Sequence, residues 1–212
     1  IIGYDYIPTT MLSSQLPRQQ VDHVISFRED LRDLLVDCGF QEAINYSMNS
    51  RERLAKIIPT ENAVRLANPL STEQEYLRTS LLPGLLALLA ANQKHEDAGI
   101  RFFEIGKVFF ARGDDLPDER EILAGILRGH RVAPSWFGEK DVLDFFDAKG
   151  VVEAVLERLG IEPAFEPVSQ ESLHPGRVAR IMVGQSAVGL VGEVHPSVAE
   201  SFDLLPQPVA VF

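Results

Sequence analysis

Residues 100–127 read IRFFEIGKVFFARGDDLPDEREILAGIL, and this stretch decides the fold class. Two apolar, β-rich runs, Ile100 to Phe110 and Ile122 to Leu127, flank the acidic segment Gly113 to Glu119. β-branched and aromatic residues suit a pleated, half-buried surface, whereas Gly, Asp and Pro mark turns. The stretch therefore predicts an antiparallel hairpin with a long polar tip. Upstream, Ser26 with Glu29 three residues later makes a capping-box pattern, predicting a helix from Ser26 to Cys38. Leu31, Leu34, Leu35 and Cys38 fall at helical spacing, and Gly39 offers a left-handed stop. Ala43 to Met48 reads as a strand, Arg51 to Lys56 as a short polar helix, and Val64 to Leu66 as a strand ended by Asn68-Pro69. Thr79 to Pro83 opens a Leu-rich helix, with proline in the first turn, where its missing N–H matters least. Its leucines (Leu81, Leu82, Leu85, Leu86, Leu88, Leu89) cover more than one stripe, so this helix is expected to be buried on several sides.

Downstream, Phe146 to Leu159 forms a second amphipathic helix closed by Gly160. Short strands follow at Ala179–Val183, Ala187–Val194 and Val209–Phe212, with a helical turn starting at His195-Pro196. Strands joined mostly as hairpins, with helices around them, predict an α+β fold with an antiparallel sheet. Residues 1 to 20, punctuated by Pro8, Ser13, Ser14 and Pro17, read as an extended linker entering a domain that spans 21–212. The chain starts Ile1-Ile2-Gly3 and stops on the apolar run Val209 to Phe212, which suggests a segment of something longer.

Composition narrows the function classes. The 212 residues include 20 Lys and Arg against 31 Asp and Glu, a net charge of −11. Autonomous nucleic-acid binding normally needs a basic face to displace phosphate counterions, so this balance argues against it. Apolar residues make up 45% of the chain, enough for a sizeable core, yet no apolar run reaches the ~20 residues that span a bilayer. Cys38 is the single cysteine, which excludes an internal disulfide and a cysteine-built metal site and fits a reducing compartment.

Chemistry-bearing motifs are few. Cys38 lies on a predicted apolar helix face, where a buried thiol is an inert small hydrophobe. No Gly-x-Ser-x-Gly elbow or phosphate-binding glycine loop occurs, and the five histidines are scattered. His195 beside Glu193 reads as a turn and cap. Arg78, just ahead of the Leu-rich helix, has two readings: it meets an anion at the helix N-terminus, or it pairs with Glu73 or Glu75.

Several co-linear stretches carry a resemblance. NPLS (68–71) and YLRTSLLPGLL (76–86), with GFQEAINYS (39–47), FEIGKVF (103–109), FFDAKG (145–150) and GEVHP (192–196), resemble the core of the bacterial phenylalanyl-tRNA synthetase β subunit. The opening GYDYIP (3–8) is similar to the exit of the small domain that precedes that core. The resemblance covers essentially the whole chain. It implies a class II aminoacyl-tRNA synthetase-like antiparallel sheet flanked by helices, cytoplasmic, without catalytic, cofactor or metal residues of its own. The implied partners are the catalytic α subunit, in a heterotetramer of two α and two β subunits, and tRNA(Phe) through the holoenzyme. ATP and magnesium are implied for that holoenzyme, which attaches phenylalanine to tRNA.

Laid on the catalytic subunit, Gly106-Lys107-Val108-Phe109 brings Phe110 to the place of the arginine that neutralises the ATP α-phosphate. Ala124 precedes Gly125 where an acidic residue is expected. Phe110 and Ala124 are thus expected to mark a degenerate pocket. Leu31, Leu34 and Leu35, with Tyr46 on the following strand and Arg78, are candidate subunit-interface residues. The resulting expectation is a non-catalytic interaction module. The alternative is a catalytically active, stand-alone class II-like enzyme that forms acyl-adenylates.

Overall fold

The computed structural model describes all residues except 1–2, 12, 15–19, 95–98, 114, 133–135 and 137–140. In chain order the elements are α1 (His23–Asp37), β1 (Gln41–Glu42), β2 (Met48–Asn49), α2 (Arg51–Ala55), β3 (Tyr76–Leu77), α3 (Leu82–Asn92), β4 (Ile100–Arg112) and β5 (Asp115–Arg128). They continue with α4 (Phe145–Arg158), β6 (Ala164–Pro167), β7 (Leu173–Val183), β8 (Ser186–Val194), α5 (Pro196–Ser201) and β9 (Val209–Val211). A seven-stranded sheet runs β1-β4-β5-β9-β8-β7-β6, and β2 and β3 form a separate pair. All neighbours in the large sheet are antiparallel except β1 and β4.

Period-2 alternation divides the sheet's side chains between two helical layers. On one face Ile126, Val209 and Val211 meet Leu81, Leu85, Leu86 and Leu89 of the α3 region, all four leucines with no exposed surface. On the other, Phe103, Leu127 and Ala210 meet Leu35 of α1 and Ala148, Val152 and Val155 of α4. Burial of each such leucine contributes about 1.5–3 kcal/mol. The all-round apolar character of α3 follows from its place over the middle of the sheet, as its sequence predicts.

Several boundaries differ from expectation. Helix α1 begins three residues before Ser26, because Asp22 accepts hydrogen bonds from the backbone N–H groups of Val24 (2.9 Å) and Ile25 (3.4 Å). The 43–48 strand is interrupted. Gln41 and Glu42 pair with β4, Met48 and Asn49 pair with β3, and the chain between them bends inward at Asn45. The acidic tip is mostly strand: Asp115 to Glu119 belong to β5, so the hairpin is longer and its turn shorter than the charges suggest. Cross-strand ion pairing of Lys107 with Glu119 at 2.7 Å makes this charged stretch compatible with pairing. Asp114, also assigned to that tip, lies outside the described residues.

Strand β6 was not anticipated, and α4 starts at Phe145, where Asp144 and Asp147 form a reciprocal capping box. His195 caps α5, as its sequence setting suggests. Among the described residues no helix is long and apolar enough to cross a membrane.

The capping geometry yields a direct test. Asp22→Ala should lower stability by about 1 kcal/mol in urea unfolding, whereas Ser26→Ala should change it by less than half as much. The reverse order would restore Ser26 as the cap.

Candidate functional site

The densest polar cluster in the interior is built around Arg78. Strand β3 delivers this residue to the sheet face just before α3, where it is 5% exposed. Its Nη1 donates to Glu104 Oε1 at 2.6 Å and its Nε to the Lys107 carbonyl at 2.8 Å. Glu104, 2% exposed, also accepts from the Asn45 side-chain amide at 2.7 Å. The Arg78 backbone joins the same network, donating to Ser47 (2.9 Å) and accepting from Phe109 (2.9 Å). A Cβ on Gly106 would collide with Arg78 Nη2, so the glycine in the β4 run leaves room for the guanidinium. The expected partners are corrected: Glu75 pairs with Arg65, and Glu73 lies 3.9 Å from Arg53. A buried cation needs an equally buried anion, and Glu104, distant in sequence, supplies it.

A second acid, Glu193, 4% exposed, accepts from Arg177 Nη1 at 2.7 Å and from the Phe145 backbone N–H at 3.2 Å. It ties the start of α4 to β8. Sequence reading passed over Glu104, Asn45 and Glu193 as interior residues; the available signal was a lone acid inside an apolar β-run, in FEIG and in VGEV. Arg128, also buried, donates to Gln93 Oε1 at 2.8 Å beside the C-terminal end of α3, where helix carbonyls favour a cation. Burial lowers the Arg128 pKa, and burial likewise raises that of the Cys38 thiol, which disfavours its reactive thiolate. Burial pushes the Asp147 carboxyl up, but hydrogen bonds from Arg131 and the Asp144 N–H outweigh it and hold the group below the usual range.

The candidate pocket residues do not come together. Phe110 faces Asp118 across the hairpin, while Ala124 faces Glu104. Six residues of strand, about 20 Å, separate the two positions. Phe110 packs against the α3-side core and carries the Arg120 guanidinium 5.2 Å above its ring; Arg120 in turn pairs with Asp118 at 2.7 Å. Of the candidate interface residues, Leu35 is wholly inside the core and is corrected to a packing residue, because its side of α1 rests on the sheet. Leu31 and Leu34 are half-buried against that core, and Arg78 is enclosed by its ion pair. Tyr46 is 74% exposed beside Ile44, 92% exposed, and Val24, Ile25 and Phe27 are exposed at the start of α1.

Among the described residues, two surface hollows stand out. A groove of about 700 Å³ lies between α1, α4, β5 and β8, lined largely by apolar side chains such as Phe27, Leu31, Leu123, Leu156 and Val188. A smaller one of about 290 Å³ is bordered by Asn45, Tyr46, Asn49, Arg53 and Glu73. Among the described residues no three His, Cys, Asp or Glu side chains gather as a metal-binding group.

Residues 7–212 match the family model described as the phenylalanyl tRNA synthetase beta chain CLM domain. The chain is 37% identical, over its whole length, to a phenylalanine–tRNA ligase beta subunit from Dehalococcoides mccartyi. It is 38% identical over 96% of its length to that of Staphylococcus aureus. It spans 26% of the length of each. Among solved structures, two of pyrrolysyl-tRNA synthetase from Desulfitobacterium hafniense superpose with TM-scores of 0.68 and 0.67 at 22% and 21% identity. The superpositions cover 89% of this chain and 64% and 65% of theirs, and they establish a shared class II synthetase-like fold.

The Arg78 cluster makes a strong energetic prediction. Glu104→Gln leaves a buried guanidinium unpaired and should destabilise the protein by about 3–5 kcal/mol, while Arg78→Met combined with Glu104→Leu should recover most of that loss. Arg65→Ala, which breaks an exposed pair, should stay within about 1 kcal/mol. Urea unfolding distinguishes the three; a Glu104→Gln protein as stable as the parent would refute the pairing.

Proposed function

Because the chain belongs to the phenylalanyl-tRNA synthetase β-chain family, we propose that it is the non-catalytic core of a phenylalanine–tRNA ligase β subunit, pairing with a catalytic α subunit. The observation that carries the non-catalytic part is the state of the sheet face. There the buried cation Arg78 is matched by Glu104 and covered by α3, and Phe110 offers a ring where a phosphate would need a donor. A phenyl ring and the Ala124 methyl, some 20 Å apart along the hairpin, do not fit ATP and magnesium, and no chemical step is assigned to them. Arg120, whose guanidinium lies over the Phe110 ring, is paired with Asp118. The same features weigh against a stand-alone acyl-adenylate-forming enzyme.

In this reading ATP, magnesium and tRNA(Phe) are handled by a heterotetrameric holoenzyme in the cytoplasm, and residues 1–20 connect residues 21–212 to a preceding small domain. The half-buried lone Cys38 is consistent with a reducing compartment. The apolar surface at Ile44 and Tyr46, with Val24 and Phe27 at the start of α1, is the surface assigned to α-subunit contact.

The test uses the full-length β subunit. Ile44→Ser with Tyr46→Ala should weaken capture of the α subunit by roughly tenfold or more without lowering the melting temperature. Calorimetry of β alone with ATP and magnesium should be silent. Unchanged α binding removes the proposed surface, and micromolar nucleotide binding by β alone removes the non-catalytic assignment.

A further inference from the structure

The run Asn49-Ser50-Arg51-Glu52-Arg53 places an amide and a guanidinium on one wall of the smaller hollow. Asn49 is fixed by strand pairing with Tyr76, and its backbone carbonyl accepts from the Glu75 N–H at 3.2 Å. Ser50 caps α2 by accepting from the Arg53 N–H at 3.2 Å, and Arg53 Nη1 reaches back to Asn49 Oδ1 at 3.3 Å. Local geometry therefore sets both side chains before any partner arrives. Across the hollow, Ala87 and Leu88 of α3 form an apolar wall. Gly84 lets that helix approach closely, since a Cβ there would stand 3.1 Å from the Asn45 Cβ.

What this site lacks is an acceptor. Asn49 is 3% exposed, yet its Nδ2 donates to no group among the described residues. The atom is not among those sealed in the interior, so it opens on the hollow that Asn49 lines. Arg53 Nη2 has one carboxylate near it, that of Glu73, which is 72% exposed and 3.9 Å away, beyond hydrogen-bond reach. Such a loose, hydrated pair contributes little. A buried donor without an acceptor is costly, and a guanidinium fork matches a carboxylate in shape and charge. Size narrows the occupant further. About 290 Å³ falls below the range of pockets that enclose drug-sized ligands and suits a single side chain.

We infer that this hollow is a socket for one carboxylate side chain, an aspartate or glutamate of the α subunit; the inference rests on the pairing with α proposed above. The carboxylate accepts from Arg53 Nη2 and Asn49 Nδ2, its methylene stem lies on Ala87 and Leu88, and Glu73 swings aside into solvent. Continuity supports this occupant. Tyr46 lines the hollow and belongs, with Ile44, to the exposed apolar surface assigned to α-subunit contact. An apolar patch beside a pocket that holds one anchoring side chain is the anatomy of a specific interface. A cationic side chain fits worse, because it would pair with the hydrated Glu73, stand against the Arg53 guanidinium and leave Asn49 Nδ2 unmatched.

The experiment uses the full-length β subunit and its α subunit, with affinity measured by calorimetry at about 50 and 500 mM salt. Arg53→Gln should weaken assembly about tenfold or more, and the difference should shrink at the higher salt. Glu73→Gln should tighten assembly roughly two- to fivefold, because it removes the competing carboxylate. Arg51→Gln, an exposed position on the same helix, should leave the affinity unchanged. Carbodiimide coupling then identifies the occupant: Arg53→Lys supplies an amine, which peptide mapping should find joined to a carboxylate of α. Coupling to Glu73 alone or not at all, an unchanged affinity for Arg53→Gln, or weaker assembly with Glu73→Gln overturns the inference. If unsubstituted β does not bind α, the proposed pairing falls together with the socket. Assembly that is indifferent to Arg53 overturns the socket alone, so the two failures are separable.

Discussion

The buried pair of Arg78 and Glu104 is the constraint on which the rest of the structure depends. Neither charge could remain in the interior alone, so the segment carrying Arg78, the bend at Asn45 and strand β4 must meet at one point. That meeting places the start of α3 over the middle of the sheet and sets its leucines on Ile126, Val209 and Val211. It also explains Gly106, since no larger residue leaves space for the guanidinium.

Much of the fold was legible from residue pattern alone. The two hairpin strands, the amphipathic α1 and α4, and the heavily apolar α3 followed from periodicity and composition, because local pattern and tertiary role agree there. The disagreements have separate causes. Asp22 displaces Ser26 as the cap because it stands where the chain enters the helix, and the acidic run Asp115 to Glu119 becomes strand because facing charges accept it. The cap's partners lie two and three residues along the chain, whereas the partner of the acidic run is found only across the folded hairpin.

The candidate site was less legible for the same reason. Arg78 was recognisable as important, but its partner lies 26 residues away and nearer acids were the natural guess. Phe110 and Ala124 were linked by analogy of position, and the hairpin register separates them. Leu35 belonged to the correct helix and the inward face, whereas exposure falls on Val24, Ile25, Phe27, Ile44 and Tyr46. A lone acid in an apolar run, as at Glu104 and Glu193, was the most informative signal overlooked, because such a residue must bring a donor with it.

The sheet's outer borders are short. At one end β1 offers two residues, and at the other β6 offers four, the last of them Pro167, which has no N–H to donate. Borders of this kind give a foreign strand little to hold and discourage stacking of one sheet upon another into fibrils. In the middle of the sheet β9 is paired on both sides, with β5 and with β8. Among the described residues, both ends of the sheet thus close on backbone too short, or too poor in donors, to seed further pairing.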